Sequence, residues 1–167
     1  MADYFSQSVV LPYIPRGDFS PGERLILLAM FEHEEVDGEY YLFAEHGRQD
    51  FLAIDVADIR EALIDTPADS VAARLLVSSL ASAGDATGII EVDAADVWID
   101  LLQDVLRRSD TLDHISIETA HSCSRMRSDG FGGAAIVITA DGIDAMSTSQ
   151  FIDETLGARL SPPVSTR

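Results

Sequence analysis

The spacing of apolar and polar residues divides the chain into short segments of two kinds, one alternating with a period of two and one with helical spacing. Phe5 to Leu11 is rich in β-formers and closes at Pro12 and Pro15, which predicts a strand followed by a loop. Ser20-Pro21-Gly22-Glu23 has the form of a capping box with proline at the first helical position, and it predicts a helix from Arg24 to about Glu35. Leu25, Ile26, Leu27, Leu28, Met30 and Phe31 leave that helix almost no polar face, so it is expected to be buried. Tyr40–Ala44 and Phe51–Ile54 read as two short strands, and the polar link Glu45 to Asp50 between them suits a hairpin. Asp55 is placed to cap a helix reaching Ile64.

Thr66-Pro67 is expected to open a further helix, with Ala68, Val71, Ala72, Leu75, Leu76 and Ser79 at helical spacing and Gly84 ending it. Gly88–Val92 predicts a strand. Asp93 then caps the clearest helix in the chain, where Trp98, Leu101, Leu102, Val105 and Leu106 form one stripe and Arg107 and Arg108 sit at the negative end of the dipole. His114–Thr119 and Ala134–Thr139 alternate as strands, Asp141-Gly142 predicts a two-residue turn into Ile143–Ser147, and Ser149–Leu156 reads as a closing helix. Hairpins toward both ends with helices between them predict a single α+β domain over residues 1–157, a mostly antiparallel sheet with helices packed on one face. Ala158 to Arg167, with Ser161-Pro162-Pro163, reads as a flexible tail.

Charge changes the picture more than size does. The 167 residues carry 29 acids against 11 basic residues, a net charge of −18. Every basic residue is arginine, and aspartate outnumbers glutamate 19 to 10. The excess is spread evenly, −10 up to Ala83 and −8 beyond it. Such a field repels phosphate backbones and anionic lipid, so neither direct nucleic-acid binding nor membrane binding is expected, whereas a basic protein partner is favoured. A salt-adapted or GC-rich host is a competing source of the same bias. Cys123 is the sole cysteine, no apolar run approaches a bilayer span and no leader pattern opens the sequence, so a cytoplasmic protein is expected.

Three features carry candidate chemistry. Asp96, Asp100 and Asp104 fall at i, i+4 and i+8 of the expected Trp98 helix, where like charges destabilise by ~0.2–0.5 kcal/mol per pair. A row of carboxylates chosen against stability suits partner binding by imitation of a phosphate backbone, although a solvated face explains it as well. Cys123 to Gly133 sets a thiol, Arg125, Arg127, Gly130, Gly132 and Gly133 between two strands, which offers guanidinium groups and close backbone approach to an anion. Its spacing fits neither a cysteine-phosphatase loop nor a P-loop, and ion-paired arginines with a glycine-shaped bulge are the structural alternative. His121 shares strand parity with Cys123 but has no third orienting group, so no catalytic residue is assigned. Glu32-His33-Glu34-Glu35 crowds acids at an expected helix C-terminus, where the dipole disfavours each by ~0.3–1 kcal/mol. A metal site with His46 competes with a solvated acidic turn as the reading of this cluster, and without ordered ligand spacing neither a metal nor a cofactor is expected.

From Asp96 to about Leu156, with Cys123-Ser124-Arg125-x-Arg127, a spacer and Phe131-Gly132-Gly133 before the last hairpin, the chain resembles a family of small proteins encoded on plasmids and integrative elements of proteobacteria. Those relatives tend to have Asn-Thr before the cysteine and proline between the arginines, where His121-Ser122 and Met126 stand here. The resemblance implies a mobile-element context and no particular activity. Together with the charge it leads to the expectation of a non-enzymatic binding or inhibitory accessory protein that docks on a basic, nucleic-acid-binding protein in the antirestriction or anti-CRISPR manner. The alternative is a small enzyme or ligand-binding protein with an anion site at the Cys123–Gly133 loop.

Overall fold

A computed structural model describes residues 2–127 and 129–160. Among these residues eight strands and five α-helices follow the order β1 (Tyr4–Pro15), α1 (Pro21–Met30), β2 (Glu32–Val36), β3 (Glu39–Ala44), β4 (Phe51–Asp55), α2 (Val56–Ile64), α3 (Val71–Ala83), β5 (Ile89–Asp93), α4 (Trp98–Arg108), β6 (Ile115–Cys123), β7 (Gly132–Ile138), β8 (Ile143–Ser147) and α5 (Thr148–Leu160). Six strands form one fully antiparallel sheet in the order β2-β3-β1-β6-β7-β8, and β4 and β5 form a separate antiparallel pair. The chain is thus an α+β fold with its helices against an antiparallel sheet, as the segment pattern predicts.

Strand alternation decides which side chains face the helices. Val10, Ile14, Leu42, Ile115, Ile117 and Ile138 point into the core, each at most 1% exposed. They meet Ile26, Leu27 and Met30 of α1 and the Leu101, Leu102, Val105 stripe of α4 in one apolar cluster. Pro12, which has no N–H for the ladder, falls in the register shift between Val10 and Ile14, so β1 continues to Pro15 where the sequence suggested a loop.

Three of the local signals hold. Ser20 and Glu23 form a reciprocal capping box, Asp55 accepts from the Ala57 amide, and Gly84 ends α3 at φ +62°. Four expectations are corrected. Glu32–Glu35 is an edge strand and not a helix end: α1 stops when the Phe31 amide bonds to the Leu27 carbonyl and Phe31 turns extended to set its ring 6.0 Å from Trp98. Asp37 and Gly38, at φ 54° and 86°, then supply the two left-handed residues of a tight hairpin turn, so the acids never meet a helix dipole. Tyr40–Ala44 and Phe51–Ile54 do not pair with each other, because the 45–50 link carries the chain out of the large sheet to pair β4 with β5. The turn before β8 spans Thr139 to Gly142, closed by the Thr139 amide and hydroxyl on the Gly142 carbonyl.

The fourth correction concerns Thr66, which opens no helix. Its buried hydroxyl donates to the Ala62 carbonyl (2.6 Å) and accepts from the Gly22 amide (2.8 Å), tying the end of α2 to the start of α1, and α3 is capped instead by Ser70. Helix α5 extends through Ala158 to Leu160, past the expected start of the tail, and Ser161-Pro162-Pro163 lies outside the described residues. No helix among the described residues is long and apolar enough to cross a membrane.

Candidate functional site

The aspartate row does not form as a row. Asp93 bonds to the Ala95 amide and residues 95–97 make a turn, so α4 starts at Trp98 and Asp96 precedes it. Asp100 is exposed in the first turn. Asp104 is largely buried and turned inward, its Oδ2 accepting from the Val71 amide (2.8 Å) at the first position of α3 and its Oδ1 lying 3.7 Å from Arg107. Of the three, only Asp96 and Asp100 remain open to a partner, and Asp104 is a helix cap supplied from a distance.

The glycine segment is equally committed to structure. A Cβ on Gly130 would lie 2.6 Å from the Cβ of Cys123, and one on Gly133 would lie 3.0 Å from the Thr119 carbonyl, so both glycines permit close packing. Their amides are occupied: Gly130 donates to the Arg127 carbonyl and Gly133 to the Thr148 hydroxyl. Gly132 lies in β7 opposite His121. Arg127 reaches the Tyr4 hydroxyl at 3.2 Å, while Arg125 is exposed. The Gly130 and Gly133 amides are therefore used within the fold and do not point to an anion. Cys123 is a buried thiol, and His121 meets Ser6 in place of it.

Two other places concentrate chemistry. The first is the sheet face that carries no α1–α4 layer. Tyr13, Tyr41 and Phe43 stack in series, with centroid distances of 4.9 and 5.1 Å, and all three are half-buried. A groove of about 360 Å³ runs beside them, lined by Gln7, Val9, Tyr41, Phe43, Glu45 and Glu118. Glu34 pairs opposite Tyr41 in the register, so β2, β6 and the residue that follows β3 all bring carboxylates to this face. Among the described residues none of Glu34, Glu45 and Glu118 has a salt-bridge partner. A larger groove between α1 and α2, about 600 Å³, sets Asp58, Glu61 and Asp65 against Leu25, Leu28 and Arg24.

The second place lies on the opposite, helix-side face, where the helices stop short of the Ser6 end of the sheet. A chamber of about 370 Å³ opens there among Ser6, His46, Arg48, Asp50, Trp98 and His121. Ser6 and His121 are directly paired across β1 and β6, with Oγ and Nδ1 3.1 Å apart. The His46 ring rests 5.5 Å from Phe5. The Arg48 guanidinium lies 4.4 Å above the Trp98 ring, and its Nε is 2.9 Å from Asp50 Oδ1. Three backbone bonds pin the 45–50 link that carries these groups: Ser6 to the His46 carbonyl, Gln49 to that of Met30 and Ala94 to that of Asp50. No local sequence pattern marks this chamber, because its walls come from segments as far apart in the chain as Ser6 and Ile136.

No three His, Cys, Asp or Glu side chains among the described residues are grouped to hold a metal ion. Comparison with protein-family models, with curated proteins and with solved structures gives no match for the chain.

Proposed function

We propose that the chain is a non-enzymatic, cytoplasmic binding protein whose open sheet face docks on a basic protein partner. The observation that carries this reading is the groove between the Tyr41–Phe43 stack and Glu118, with Glu45 at its end. Aromatic faces attract guanidinium and ammonium groups, and nearby carboxylates without arginine partners complete a receptor for Arg or Lys side chains. The net charge of −18 adds long-range steering of a basic partner and opposes direct contact with nucleic acid. In an accessory protein of a mobile element, the fitting partner class is a nucleic-acid-binding protein whose basic groove this face would occupy, an inhibition of the antirestriction or anti-CRISPR kind.

The test is a fluorescence-anisotropy titration with a labelled oligoarginine peptide at several salt concentrations. Wild type should bind saturably and more weakly as salt rises. A Glu45→Gln, Glu118→Gln variant with Tyr41→Ala should bind at least about tenfold more weakly, the loss expected when a desolvated charge pair and a cation–aromatic contact disappear together. A control with Asp58→Asn and Glu61→Gln removes the same charge from the α1–α2 groove and should bind as wild type does. Equal loss in the control would show that net charge alone attracts the peptide and would overturn the docking face.

A further inference from the structure

Within a chain so rich in acid, the chamber at the Ser6 end of the sheet gathers basic groups. Arg48, His46 and His121 face Asp50 alone, whereas Glu45 and Glu118 line the sheet-face groove without a cation and three acids face Arg24 in the α1–α2 groove. Arg48 is immobilised on both sides, by the Trp98 ring beneath it and by Asp50 beside its Nε. The Nε and the Asp50 Oδ1 are buried and near one another, yet misaligned for a hydrogen bond. Neither terminal nitrogen of Arg48 donates to a described residue. A guanidinium is a planar fork of five donors, and of these only the Nε is buried here without a partner, so the terminal nitrogens stay accessible.

A fork held rigid from behind, with its outer donors uncommitted and facing a chamber, matches the two-oxygen head of a carboxylate or phosphate. The pinned 45–50 link means that little ordering is needed on binding, and the Ser6–His121 pair, which lines the same chamber, can exchange hydrogen bonds with a hydroxyl. From these observations we infer that the chamber formed by Arg48, His46, Trp98, Ser6 and His121 is a binding site for a small hydroxylated oxyanion, with Arg48 as its anchor. The site is separate from the open sheet face and does not depend on the docking reading. It also lies apart from the Cys123–Gly133 loop, where the Gly130 and Gly133 amides are already used.

Trp98 is the only tryptophan, so its fluorescence reports on this chamber alone. Sodium malate and inorganic phosphate, titrated at constant ionic strength, distinguish an organic acid from a free phosphate, and glycerol serves as the uncharged control. The expected result is a saturable change with at least one anion, none with glycerol, and a rise in melting temperature with the same anion, since a ligand of the folded state stabilises it. Arg48→Gln should weaken binding at least about tenfold. Because that change also removes the stack on Trp98, His121→Asn is the second variant: it should weaken binding severalfold while the melting temperature of the unliganded protein stays put. The inference is overturned by a linear, unsaturable response common to malate, phosphate and glycerol, by no response to either anion, or by undiminished binding in a folded Arg48→Gln variant.

Discussion

Alternate residues of the same strands build the two faces of the large sheet, and they end in opposite environments. Val10, Leu42, Ile117 and Ile138 lie sealed beneath the helices, while their chain neighbours Val9, Phe43, Glu118 and Val137 look out on the open face. The period of two explains the separation but not which face is covered. That is decided by where α1 and α4 lay their apolar stripes, and because those helices stop short of Ser6 a third environment results, a part-covered chamber rimmed with polar groups. Sealed positions hold the fold, and the two unsealed regions leave open volume at the surface.

The largest effects should follow from exchanging neighbours across this divide. Ile117→Ala empties a site that is 1% exposed and should cost about 2–5 kcal/mol, lowering the melting temperature by roughly 5–20 °C for a chain of this size. Glu118→Ala, one residue along, should move it by no more than a degree or two while weakening oligoarginine binding. Calorimetry on the two variants breaks the comparison if they melt alike, because the open face would then be load-sharing core.

A smaller contrast separates two aspartates of one helix. Asp104 caps α3 through the Val71 amide, so Asp104→Ala should cost about 1 kcal/mol and speed hydrogen exchange at Val71. Asp100 is exposed with no described partner, and Asp100→Ala should leave both the melting curve and that amide unchanged. Equal effects from the two would mean that charge along α4, and not the cap, sets stability.

These contrasts also mark what the sequence discloses. The capping box at Ser20, the cap at Asp55 and the Trp98 stripe were legible because each is complete within a turn or two of chain. The β2–β3 hairpin is masked in the sequence because the apolar run of α1 reads through Phe31, although Asp37-Gly38 has the same turn form as Asp141-Gly142. Asp104 reaching Val71, Gly130 lying on Cys123 and Arg48 lying on Trp98 are contacts that no periodicity encodes. The candidate sites consist mainly of contacts of that kind, so the sequence supplied the charge and the arginine count but located neither the sheet-face groove nor the chamber.

The finest test asks what sealing does to a charge in place of a methyl group. The Glu23 side chain is fully buried in the capping box, where it accepts from the Ser20 amide and pairs with Arg108, while its Oε1 has no partner among the described residues. Burial pushes its carboxyl above the ordinary 4.5, and the bonds from Ser20 and Arg108 pull it only partly back. The folded chain therefore holds this proton more tightly than the unfolded chain. Between 4.5 and the raised folded value the native state binds the more protons, so the Glu23 contribution to stability is fully present below that window and is lost as pH rises through it. Glu23→Gln keeps an oxygen for the Ser20 amide but has no proton to lose. Urea midpoints for both proteins from about pH 4 to about pH 8, where the other carboxylates cancel in the difference, should show wild type losing ground to the variant as pH rises. A pH-independent difference would mean that Arg108 and Ser20 offset the burial in full, and that the covered face accepts this carboxylate as readily as water does.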